Sequence, residues 1–113
     1  MADTNAFDAE LTKDGAPFGT LFGEQTVVAE PAPWASKRTE EVRRTELNFE
    51  LPDGQIVVQG TSPYAKGNWR LRAGRPVVRA IVGGTQAYVG ARGEVTTTRN
   101  ADGSYTQAFH FVD

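Results

Sequence analysis

Residues 45–51, Thr-Glu-Leu-Asn-Phe-Glu-Leu, alternate without a break, with Thr45, Leu47, Phe49 and Leu51 on one side and Glu46, Asn48 and Glu50 on the other. A period of two is the mark of a half-buried strand, and no helix can sort these residues onto two faces. The run ends in Pro52-Asp53-Gly54 and is followed by a second apolar stretch, Gln55 to Gln59. Proline presets the first central dihedral of a turn, and glycine accepts a positive φ after it. Asp14-Gly15 and Asp102-Gly103 are further turn signals of the same kind, each between strand-like runs. Such punctuation constrains the chain to an antiparallel all-β fold.

The strands expected are 5–12, 17–29, 43–51, 55–62, 69–72, 76–82, 86–98 and 104–112. Ser36 to Arg44 is the only helix candidate, and Val42 is its sole apolar residue. Without an apolar stripe it has no tertiary reason to form beyond a single turn. Gly19, Gly23, Gly60, Gly83, Gly84, Gly90 and Gly93 fall within or beside the strand runs. Seven or eight short strands at this spacing suit a sandwich or a closed barrel, and glycine, which weakens a flat strand but permits the bends that close a sheet, favours the barrel.

With 113 residues the chain reads as one domain, 1–113, large enough for one core. It has no cysteine and a single histidine, so no disulfide, and no cysteine- or histidine-based metal site, is expected. His110 alternates with Phe109 and Phe111 and reads as a strand residue rather than a catalyst. The first residues lack the basic start and apolar core of a signal peptide, and no apolar run is long enough to span a bilayer. The protein is therefore expected to be cytoplasmic, with no membrane partner. Charge is uneven: residues 1–35 hold six acids against Lys13, and residues 66–99 hold seven bases against Glu94. Cross-strand or intersubunit pairing accounts for such a split, as does a mouth that recognises an anion. An acidic chain with no basic-aromatic motif is a poor nucleic-acid binder.

Asp53 to Gly60, followed by Ala80 to Val95 with its Gly-Gly-Thr, aromatic, Gly and Gly-x-Val pattern, resembles the allene oxide cyclase and dirigent superfamily. Asp14 to Val28 is similar to that family's early glycine-rich strand, and Ser104 to Val112 to its closing strand. One departure is Gln86, where the family pattern has glycine after Gly-Gly-Thr. The resemblance implies a small eight-stranded antiparallel barrel, lipocalin-like, with a ligand cavity, often a homo-oligomer, and chemistry without a cofactor. Members include cyclases, dirigent proteins that steer radical coupling, and bacterial barrels that close rings in natural products, some by [4+2] cycloaddition. The expectation is a cofactor-free cyclase of a small hydrophobic substrate. A non-catalytic binding barrel, and a structural barrel filled by its own side chains, are the alternatives.

Candidate site residues follow from strand parity and residue type. Placing a bulge at Gly54 puts Leu47, Phe49, Val57 and Gln59 on the luminal face, and Ile56 and Val58 on the outer face, where they would suit a subunit interface. Gln59 is then a polar group seeking a ligand or a structural partner. Glu24 is an acid or charge stabiliser if it points inward, and a solvated strand residue if outward. Trp34, Tyr64, Trp69 and Tyr88 are candidate cavity walls, the tyrosines able to polarise a carbonyl. Arg70 and Arg72, with Arg75 and Arg79, are candidates for an acidic headgroup such as a carboxylate or tetronate.

Overall fold

The computed structural model describes residues 4–29, 40–65 and 75–112. Seven antiparallel strands follow one another in a single meandering sheet, in chain order. They are β1 (Thr4–Lys13), β2 (Ala16–Ala29), β3 (Glu40–Leu51), β4 (Gly54–Ala65), β5 (Val77–Gly84), β6 (Gly93–Arg99) and β7 (Tyr105–Phe111). The sheet curls into a barrel-like trough whose concave face carries the core, and β1 and β7 are its two edges. The all-β, antiparallel reading holds. The eighth candidate strand, 69–72, lies outside the described residues, as do Trp34, Trp69, Arg70 and Arg72.

The hairpin of β3 and β4 sets the inner face. Leu51 faces Gly54, Phe49 faces Ile56 and Leu47 faces Val58, with no register shift along the pair. Pro52 and Asp53 alone make the turn, so the bulge expected at Gly54 is not there. Inner and outer faces of β4 are consequently exchanged relative to the sequence reading. Ile56 and Val58 are buried in the core at 2% and 0% exposure, while Gln59 is exposed and Val57 half-buried on the outer face. Leu21, Leu47, Phe49, Ile56, Val58, Ile81 and Val95 form one contiguous cluster.

Two other expectations change. Residues 40–42 belong to β3 rather than to a helical turn, and Val42 is buried at its start. The single run expected over 86–98 is broken: Gln86–Tyr88 is a 3-10 turn and the strand begins at Gly93. This turn folds back on the tip of the β3–β4 hairpin. Thr85 N donates to Gln55 O at 2.9 Å, Ala87 N to Asp53 O at 3.1 Å, and Gln55 N to Thr85 Oγ1 at 3.0 Å. A Cβ at Gly54 would overlap the Thr85 carbonyl, and its φ of 147° is one that L side chains rarely adopt. Gly54 and Gly84 are thus explained by one segment docking closely on another.

Candidate functional site

Inward-facing side chains on every strand line one lumen of about 1210 Å³. Its lower part, beside the Pro52-Asp53 turn, is apolar. Phe7 and Leu11 of β1, Leu21 of β2, Leu47 and Phe49 of β3, Ile56 of β4, and Phe109 and Phe111 of β7 wall it. The Phe49 and Phe109 rings meet edge to face at 4.9 Å, and Phe109 stacks on Phe111 at 5.9 Å. Such rings present a flat apolar surface with little entropy left to lose. Tyr88 packs against this end and donates its hydroxyl to Asp53 Oδ1 at 2.7 Å. That bond, ahead of partial burial and the Asp53 charge, holds the Tyr88 phenol above its ordinary value.

The far end of the β3–β4 hairpin is polar. Inward positions that carry leucine or phenylalanine nearer the turn here carry Gln25, Thr45, Tyr64, Arg79, Thr97 and Gln107, all lining the lumen. Arg79 Nη2 donates to the Tyr64 hydroxyl at 2.7 Å, and Arg79 Nη1 to Thr97 Oγ1 at 3.2 Å. Thr97 passes its own proton to Gln107 Oε1 at 2.5 Å. Gln25 Nε2 donates to the same Tyr64 oxygen at 3.1 Å. Beneath lies Arg43, whose Nε donates to Glu41 at 2.8 Å and whose guanidinium sits 4.5 Å from the Tyr64 ring centre. Burial holds the Arg79 guanidinium below the ordinary arginine value, and the Tyr64 oxygen opposes that shift. Gln25 Oε1, Thr45 Oγ1 and Arg79 Nε are buried without a hydrogen-bond partner among the described residues.

The structure brings together only part of the candidate set. Leu47, Phe49 and Tyr64 line the lumen, joined by Tyr88 and Arg79. The two tyrosines do not converge on one mouth: Tyr64 lies eleven residues beyond Asp53 along the hairpin, about 35 Å of extended chain. Glu24 is exposed on the outer face of β2, facing Glu46 across the strand pair. Gln59 and Val57 are also on the outer face, and Arg75 is exposed. The luminal glutamine is Gln25, one residue from Glu24. Sequence reasoning passed over Gln25, Thr45, Thr97 and Gln107, whose only signal is a polar residue at a position in phase with apolar ones, as in Leu21-Gly23-Gln25-Val27. Among the described residues no cluster of His, Asp and Glu could hold a metal ion, and no helix is long and apolar enough to cross a membrane.

No protein-family model matches the chain, and no curated protein matches it. Among solved structures, a pyocyanin demethylase is similar over 98% of this chain and 80% of its own, with a TM-score of 0.77 at 22% identity. Likeness at that identity carries the fold and nothing finer: this chain shares its architecture with a small antiparallel β-barrel.

Proposed function

We propose that the barrel takes a small, largely apolar organic molecule into its lumen and closes a ring in it without a cofactor. The observation that carries this reading is the lumen itself. At about 1210 Å³, with aromatic and aliphatic walls and a few convergent polar groups at one end, it has the make-up of a small-molecule site. The described side chains do not fill this space, as those of a purely structural small barrel do. The resemblance of the glycine-rich segments to ring-closing and dirigent barrels supports the same use. So does the solved neighbour, which by its name acts on a small molecule, pyocyanin.

Ring closure suits a site that offers no obvious nucleophile. In a [4+2] cycloaddition two new σ bonds replace two π bonds within the substrate. No atom leaves, and no oxidant is consumed. The protein need only hold the reacting ends in contact, and such confinement is worth up to about 7–11 kcal/mol. A hydrogen bond from the polar end to a substrate carbonyl adds to this as charge develops on the oxygen.

Cyclisation is an isomerisation, and this supplies the test. Cells lacking the protein should accumulate an isomer of unchanged mass with fewer rings, two fewer for a [4+2] closure, and the purified protein should convert it. An unchanged metabolite profile, with a compound still recovered bound to the protein, would instead establish the non-catalytic binding barrel.

A further inference from the structure

We infer that the polar end of the lumen is a subsite for the anionic oxygen of an organic acid, a carboxylate, enolate or phenolate carried on an apolar body. The inference rests on the lumen being a ligand site. It adds the chemical class of the ligand and the way round it lies.

Charge comes first. Glu41, Arg43 and Arg79 are all buried on the inner face at this end, at 5%, 0% and 4% exposure. Arg43 and Glu41 neutralise one another at 2.8 Å. Arg79 hydrogen-bonds the Tyr64 and Thr97 hydroxyls, and no carboxylate contacts it among the described residues. A guanidinium removed from water without a counter-charge is costly, and an anion in the lumen removes that cost.

Hydrogen-bond direction points the same way. The Tyr64 oxygen already receives protons from Arg79 and Gln25, neither of which can take one back through those nitrogens. The phenol proton therefore has no acceptor among these groups, and Arg79 Nε–H has none either. Turning the Gln25 amide over would give Tyr64 an acceptor but leave the amide protons unpaired instead. With the amide unturned, the Tyr64 O–H and Arg79 Nε–H find no acceptor beside one buried positive charge, and the unpaired oxygens Gln25 Oε1 and Thr45 Oγ1 take neither proton. Charge-assisted bonds to an oxyanion satisfy both shortages at once. The geometry also orients the ligand, its acidic oxygen on Arg79 and Tyr64 and its apolar body towards Phe49 and Phe109.

Gly60 makes room for this arrangement. A Cβ there would press on the Cβ and Cγ of Arg79 at 3.1–3.2 Å, so the arginine stem lies flat across the glycine.

The test uses the neutral fluorescent probe N-phenyl-1-naphthylamine and two competitors of equal shape, 2-naphthoate and 2-naphthamide. In the wild-type chain the naphthoate should displace the probe at a concentration at least about tenfold lower than the amide. Arg79→Met should lose the preference for the acid, read as the ratio of the two displacing concentrations at whatever probe affinity the variant has, whereas Arg75→Gln, at an exposed position, should keep it. Equal displacement by acid and amide in wild type, or a preference that survives Arg79→Met, would overturn the inference while leaving the lumen a ligand site. Failure of the probe to bind at all would remove the ligand site and the inference with it. The wild-type comparison needs no variant, and Arg79→Gln replaces Arg79→Met should the latter not fold.

Discussion

At the scale of single residues, the position one step along a strand decides everything. Glu24 and Gln25 are neighbours, yet one faces solvent and the other hydrogen-bonds Tyr64 inside the lumen. Glu24→Gln should change stability by less than about 0.5 kcal/mol and leave probe affinity unaltered. Gln25→Leu, by contrast, removes one buried donor from Tyr64, whose oxygen still accepts from Arg79, and should cost about 0.5–1.5 kcal/mol in denaturant unfolding. Tyr88 provides a pH signature. Its phenol titrates above the ordinary value of 10.0 because its hydroxyl donates to Asp53. A raised folded value favours the neutral form, so the stabilisation is fully present below the unfolded value and fades as pH rises through the folded one. The advantage of wild type over Tyr88→Phe should accordingly be constant from pH 7 to 9 and shrink above pH 10, read by chemical denaturation at each pH.

At the scale of elements, close approach explains part of the glycine set, with backbone against Gly19, Gly54, Gly84 and Gly93 and a side chain against Gly23. A Cβ at Gly23 would overlap the Phe7 ring, which lies across β2 from its partner position on β1. Gly23→Val should displace that ring and cost about 1–3 kcal/mol. Gln86 stands in the 3-10 turn at a φ of 54°, a left-handed value that a glycine adopts without strain. Gln86→Gly should leave stability unchanged or raise it by up to about 1 kcal/mol, and a loss larger than that would mean the side chain itself holds the turn. The hairpins were legible because alternation and Asp-Gly or Pro-Asp-Gly turns are local signals. Luminal parity in β4 was not: it hangs on whether the turn has two residues or carries a bulge, and Pro52-Asp53-Gly54 suits both. The start of β3 was hidden for a different reason. Glu41 and Arg43 look solvated, and only the facing strands reveal that they pair with each other inside.

At the scale of the whole molecule, the sheet divides its concave face between an apolar end and a polar one. The glycine-rich segment 83–91 docks at the first, and Arg79 is held in the second. The barrel was foreseeable from strand spacing and glycines, and the cavity only from the family resemblance, but the polar layer was not, because it is assembled from single residues on β2, β3, β4, β5, β6 and β7. The proposed function requires that lumen to accept a small apolar molecule. The measurement that tests it most directly is a methyl-resolved NMR titration with N-phenyl-1-naphthylamine. The shifts should concentrate on the methyl groups of Leu21, Leu47 and Ile56, which line the lumen, and leave Val78 and Val82, exposed on the outer face of β5, in place. Shifts confined to Val78 and Val82, or none at saturating probe, would contradict it.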